Sequence, residues 1–336
     1  MVVVTTSGYF LSVLGPYLSD AKNNDSKILN HIIDNNIEHI KKWIKPSDIF
    51  VVDRGFRDSF TLLEDLGIKV KMPSFMKKGD KQLSTKDANS SRLVTKVRWV
   101  VEAANARIKR WRYLAHVLPN TQIPFICDYI NIVCGICNKY LPPLNSTSND
   151  EYDQVMASQL LDRLDRENKL QQYVLDNNLN RHSSKWTTIS KEDLNFPNLD
   201  NTMLEILTLG TYQVKLSKSY MQEYIDSEAE CRIQILKETQ DLVRVHLQSR
   251  HVSSKSYFVW IKFDSDAVKA WYCQCRSGAR TVGTCSHVAA VVWYLSNISN
   301  DSHVGIQEWD LYVDDACQPV DFSDSDSDSD ISVVEE

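Results

Sequence analysis

Cys273, Cys275, Cys285 and His287 stand in the order Cys-x-Cys, nine residues, Cys-x-His. Zinc takes four N/S ligands in a tetrahedron, and three thiolates with one imidazole are a complete structural set, so the chain between the pairs must turn back to close it. Cys-x-Cys suits a turn or a strand end, where residues two apart bring both sulfurs to one side. Cys-x-His opens the run 286–295, in which Val288, Val291, Val292 and Leu295 recur at helical spacing. The two pairs are therefore predicted to meet between a hairpin and a helix start, around a structural Zn²⁺. Upstream, residues 242–248 and 257–263 read as strands.

On these ligand positions the segment resembles the SWIM-type zinc finger family, whose pattern is Cys-x-Cys, a variable spacer, then Cys-x-His. The resemblance implies a small ββα zinc module of α+β type within residues 226–300, one that binds DNA or a protein partner.

Charge divides the chain unevenly. The net charge is −6, yet residues 1–140 hold 21 Lys+Arg against 13 Asp+Glu, while the remainder holds 17 against 31. Residues 69–112 alone carry 13 basic and 3 acidic side chains. Such a concentration either attracts polyanions, because neutralising phosphates releases counterions, or is the solvated face of a helix.

Within this basic half, residues 49–53 form a β-branched run ending in Asp53. Residues 57–66 read as a helix and 68–71 as a second strand, the alternation of an α/β sheet. Asp53 then sits at the carboxyl end of a strand, where open α/β sheets place ligands. Further on, Val94, Val97, Val101, Ala104, Ile108 and Trp111 step by three and four, marking the buried stripe of a long helix. Arg98, Glu102, Asn105 and Lys109 fall on its polar side. Glu102 either pairs with Arg98 within the helix or faces Asp53 to help hold a divalent metal.

The stretches Ser7-Gly-Tyr-Phe, Ser19-Asp-Ala-Lys-Asn-Asn-Asp, Val52-Asp-Arg-Gly-Phe, Met72-Pro-Ser-Phe and Arg98-Trp-Val-Val-Glu-Ala-Ala-Asn-Ala-Arg-Ile-Lys follow in an order that resembles the catalytic domain of Harbinger-type DDE transposases. The resemblance covers residues 1–141 and implies an RNase H-like α/β domain. It places Asp53 as the second catalytic Asp and Glu102 as the final Glu, with Mg²⁺ or Mn²⁺ between them. Arg98, Lys109, Arg110 and Arg112 are the basic residues expected to contact nucleic acid. The family's first catalytic Asp lies on a strand ahead of the Ser7 stretch, and this sequence has no counterpart. The domain is thus expected to be shortened at its amino terminus, with an exposed sheet edge and cleavage weakened by about a thousandfold or more. Asp20 and Asp25 are the nearby acids that could substitute. The expected function is a transposase-derived, DNA-binding zinc protein; the alternatives are a zinc-dependent interaction adaptor and an active metal-dependent endonuclease. A DNA-directed role implies a nuclear or nucleo-cytoplasmic location.

No basic stretch followed by an apolar core opens the sequence, so secretion is not expected, and the Asn-x-Ser/Thr triplets at Asn89 and Asn145 are expected to stay unmodified. The longest apolar stretch, 123–137, is short of the roughly 20 residues a bilayer needs, and it reads as a buried helix. It contains Cys134 and Cys137, which read as small buried thiols. Residues 142–225 are expected to be a helical linker, with Met156, Leu160, Leu164 and Leu175 as its contacts. Trp99, Trp111, Trp271 and Trp293 are expected in the core. The repeat of Asp and Ser over 321–330 marks an acidic, disordered tail over 301–336, with serines open to phosphorylation.

Overall fold

In the computed structural model, residues 1–20, 22–144, 150–181, 184–226, 232–249 and 255–296 are described. The acidic tail, its serines, Cys231 and Cys317 lie outside them.

The amino-terminal half begins with an antiparallel hairpin of β1 (Val2–Val4) and β2 (Phe10–Val13). Helix α1 (Asp25–Asp34) starts where the Asn24 side chain accepts the Lys27 N–H, and it buries Leu29, Ile32 and Ile33. The short α2 (Ile40–Trp43) follows. β3 (Ile49–Val51) then pairs in parallel with β4 (Lys69–Lys71), and α3 (Phe60–Asp65) lies between them in sequence. The expected strand–helix–strand unit is present. The single α/β sheet is not: the four strands form two separate two-stranded ribbons. Strands of three or four residues offer few ladder bonds. Helix α1 fills the space instead, with Leu29 and Ile33 against Leu63 and Ile68, and Ile32 against Leu14 and Ile40.

Helix α4 (Thr85–Lys109) is capped by Ser84, whose hydroxyl accepts the Asp87 N–H, and its 25 residues span about 37 Å. It is followed by α5 (Arg112–Ala115) and α6 (Ile126–Tyr140). Ala104 packs with Phe10, Val13, Val133, Cys134 and Cys137. The predicted stripe is only partly buried: Val94 and Ala104 are inside, while Val97 and Trp111 are exposed, and Trp99, expected in the core, is exposed too. The reason is that α4 meets different partners along its length, so no one stripe is covered throughout. Likewise α6 is half-buried rather than buried, since Ile132 faces outward. Cys134 and Cys137 are buried thiols as expected, and burial followed by the charge of Cys137 pushes Cys134 up to about 11.

The second half is an α+β body. It contains α7 (Asp150–Leu164), α8 (Lys169–Asp176), β5 (Trp186–Thr188), α9 (Asn201–Thr208) and α10 (Thr211–Asp226). Then come β6 (Ile233–Leu236), β7 (Leu242–Gln248), β8 (Ser256–Phe263), β9 (Val268–Cys273) and α11 (Ser286–Leu295). The strands form one antiparallel sheet in the order β5-β6-β7-β8-β9. On one face, Val288, Val291 and Val292 of α11 pack with Leu204, Met221, Val245 and Ile261; on the other, Leu170 and Val174 of α8 pack with Trp186 and Trp260.

The helical linker is therefore corrected. Residues 142–225 include the edge strand β5, and α8, α9 and α10 are structural layers of the same body that carries the cysteines. Within α8 the inward residues are Leu170 and Val174, while Leu175 is exposed. The side chain of Met156 lies outside the described residues. Arg244 ties the sheet to these helices: its buried guanidinium lies between the rings of Trp186 and Phe258, 4.3 and 4.6 Å away, and donates to the Leu179 and Arg181 carbonyls and to Gln234 Oε1. Burial lowers its pKa to about 10, so it is charged at neutral pH.

Candidate metal centre

Strand β9 delivers Cys273 at its last residue, and the chain then reverses tightly. Cys273 N–H donates to Gly278 O (3.1 Å) and Gly278 N–H to Cys275 O (3.0 Å). A Cβ on Gly278 would lie 2.1 Å from Cys273 O, so only glycine allows this approach. The turn brings Cys275 back beside Cys273, whose Sγ accepts the Cys275 N–H at 3.4 Å. Cys285 is the N-cap of α11, accepting the Val288 N–H on its Sγ, and His287 lies in the first turn. A thiolate at a helix start is favoured by the N–H groups there.

The ligand atoms of Cys273, Cys275, Cys285 and His287 all lie within 4.8 Å of one another. The three sulfurs are buried. The rings of Tyr220 and Tyr257 stand edge-on to the His287 imidazole, 5.5 and 5.0 Å between centroids, and fix its plane. His287 Nδ1 is buried with no hydrogen-bond partner, which is costly unless something else engages that nitrogen.

Electrostatics point the same way. Burial, then proton sharing with Cys275 and Cys285, pushes the Cys273 thiol well above its ordinary value. Burial also opposes ionisation of Cys285, but hydrogen bonding with Cys273, Cys275 and His287 outweighs it and holds that thiol well below its ordinary value. Three thiols this close sustain one shared thiolate unless a cation joins them, and a bound Zn²⁺ would keep all three ionised. The resulting centre would carry net charge −1. Arg280 is the matching counter-charge: it is buried beside the same sulfurs, burial lowers its pKa, and Cys285, Cys275 and Cys273 pull it back up. The donor set, the orphaned imidazole nitrogen and the buried guanidinium all fit a zinc ion.

The centre is bolted to the amino-terminal half by residues the sequence did not single out as functional. Gln82 Nε2 donates to both Cys273 O and Cys275 O at 2.7 Å, and its Oε1 accepts from Tyr272 OH and Gln171 Nε2. Asn89 on α4 is fully buried. Its Nδ2 donates to Arg163 O, Leu164 O and Thr281 Oγ1, and its Oδ1 accepts the N–H groups of Thr281 and Val282. Arg92, one turn on, donates to Thr208 O, Leu209 O and Gln213 Oε1. In sequence each is an ordinary polar residue of a helix or loop; Asn89 stood out only as a glycosylation triplet, and its burial removes it from modification. The helix that carries Glu102 is thus anchored by its first turns to the zinc-ligand loop.

The predicted carboxylates are arranged differently. Asp53 caps the 3₁₀ turn Arg54–Ser59, its Oδ1 accepting the Gly55 N–H at 2.7 Å. Glu102 is exposed and its Oε1 accepts from Arg98 Nη2 at 2.7 Å, the intrahelical pairing foreseen as one of two options. Arg98 is therefore occupied by Glu102, whereas Lys109, Arg110 and Arg112 form no ion pair among the described residues. Asp20 closes its own loop by accepting from Lys22, Asn23 N and Asn23 Nδ2. Asp25 instead lies beside Asp53: a Cβ on Gly55 would sit 2.4 Å from Asp25 Oδ2 and 2.9 Å from Asp53 Oδ1. Among the described residues, the four zinc ligands are the one group of three or more His, Cys, Asp or Glu side chains that converges.

Residues 1–138 match the family model of the DDE superfamily endonuclease, and residues 257–296 match that of the SWIM zinc finger. No curated protein and no solved structure matches the chain. The chain thus joins a segment similar to DDE endonucleases to one similar to SWIM zinc fingers. No helix among the described residues is long and apolar enough to cross a membrane.

Proposed function

We propose that this is a zinc-stabilised, transposase-derived protein that binds nucleic acid through the basic face of residues 69–112 and has impaired endonuclease chemistry. The observation that carries the reading is the set Lys109, Arg110 and Arg112, which leave their charges unpaired among the described residues at the end of a helix fixed by the zinc body. Phosphates are the natural partner of such a set. The hairpin, the parallel pair and the long helix after them support an RNase H-like ancestry. A nuclear location follows from this role, and a protein partner at the zinc body is compatible with it.

Asp53 and Glu102 are the residues a Mg²⁺ or Mn²⁺ ion would use. Such ions need several convergent oxygens, and here one oxygen of Asp53 is taken by Gly55 and one of Glu102 by Arg98. Asp53 and Glu102 belong to no converging group of three or more ligands among the described residues, so the pair as arranged does not make up a two-metal site.

Salt titration of duplex binding tests the reading. Affinity should fall steeply with salt, and the Lys109→Gln, Arg110→Gln double variant should lower the log–log slope by about 2. A slope near zero, or one unchanged in the variant, would refute it. A second reading, a metal-dependent endonuclease, draws on the apposition of Asp25 and Asp53 about Gly55. It requires Mg²⁺-dependent nicking that disappears in both Asp25→Asn and Asp53→Asn.

A further inference from the structure

Beyond the cationic set, the end of α4 carries an aromatic surface that duplex phosphates do not use. Trp111, Tyr113, Pro119, Tyr129 and Ile132 line an open hollow of about 610 Å³. Trp111 is 40 % exposed, Tyr113 48 % and Phe125 50 %, although a tryptophan at the end of an apolar stripe is expected inside. The walls are held in place: Tyr113 meets Tyr129 edge-to-face at 5.5 Å, Phe125 lies 6.4 Å from Tyr129, and Tyr129 OH donates to Gln122 Oε1 at 3.1 Å. An exposed aromatic cluster of this kind marks a contact surface.

Its surroundings choose the partner. Lys109, Arg110 and Arg112 flank Trp111 directly in sequence, and Arg107 is anchored through its guanidinium to Pro142 O at 2.6 Å. An apolar protein surface would leave these cations without counter-charge. A strand with flat bases and a phosphate backbone satisfies both, the bases against the rings and the phosphates against the cations. We infer that this hollow is a stacking site for unpaired bases, so that the preferred ligand is single-stranded nucleic acid rather than intact duplex. The inference rests on the nucleic-acid reading above and narrows it to a ligand class.

The test is fluorescence anisotropy with a labelled single strand of about 16 nucleotides and the blunt duplex of the same sequence, using the full zinc-loaded chain. Trp111→Ala should weaken single-strand binding about tenfold, equivalent to about 1.4 kcal/mol, and leave duplex binding within about twofold. Trp111→Phe, which keeps a ring, should bind the single strand within about threefold of the parent. If Trp111→Ala melts below the parent, Tyr113→Leu serves in its place with the same expected loss. Should both ligands bind and the ring variants weaken neither, or weaken both equally, the stacking site is refuted while the nucleic-acid reading stands. Should the parent bind neither ligand, both fall together.

Discussion

Asn89→Ala is the sharpest probe of how the two halves are joined. The two N–H groups of the side chain are shared among three acceptors and its oxygen accepts two N–H groups, and all these partners belong to α7 or to the Thr281–Val282 stretch of the zinc-ligand loop. Two donated protons and two accepted bonds at a net of about 1 kcal/mol each give about 4 kcal/mol; the buried N–H groups of Thr281 and Val282 left unpaired add to this, and water entering the small vacancy recovers part of it. A loss of about 3–5 kcal/mol is therefore expected. At about 2–4 °C per kcal/mol for a chain of this size, the melting midpoint should fall by roughly 6–20 °C. Circular dichroism melts of zinc-saturated protein measure this. Lys86→Ala, whose ion pair with Asp165 is exposed on both sides, is the control and should change stability by less than about 0.5 kcal/mol. If Asn89→Ala melts with the control, α4 is not docked on the zinc body as described.

Other consequences can be checked separately. Thorough chelation should unfold the sheet from residue 242 to helix α11, because structural zinc contributes about 10–16 kcal/mol of apparent binding energy, as large as a domain's whole stability; unchanged ellipticity after metal removal would contradict this. Gly278→Ala forces a Cβ against Cys273 O and should cost about 1–3 kcal/mol, seen as weaker zinc retention against a competing chelator. Zinc affinity should fall as pH drops from neutrality, since protons reclaim three sulfurs and one imidazole while metal binding releases them; a flat chelator-competition profile would show that these ligands do not hold the ion.

How much of this was legible in the sequence depended on whether a feature is local. The four ligands and helix α11 were readable because Cys-x-Cys, Cys-x-His and the valines at helical spacing lie within some twenty residues of one another. The same holds for β7, whose bounds the alternation over residues 242–248 anticipated. The five-stranded sheet was not readable, because β5 is three residues long and pairs with β6 across more than forty residues of chain. Nor was the anchoring of α4: Asn89 and Arg92 look solvent-facing in a one-dimensional pattern, and only the arrival of Thr281 at Asn89 and of the α9–α10 junction at Arg92 gives them partners. Trp111 went the other way. Its place on an apolar stripe suggested burial, but α4 ends at Lys109 and Trp111 caps the start of the short α5, where it is 40 % exposed at the edge of an open hollow.

The central claim is a closed four-ligand zinc centre, and X-ray absorption at the zinc edge of the purified full chain tests it most directly. One zinc per chain is expected, with three sulfurs at about 2.3 Å and one nitrogen at about 2.0–2.1 Å, and with one sulfur lost in Cys285→Ala. Substoichiometric metal, or a first shell dominated by oxygen, would contradict it.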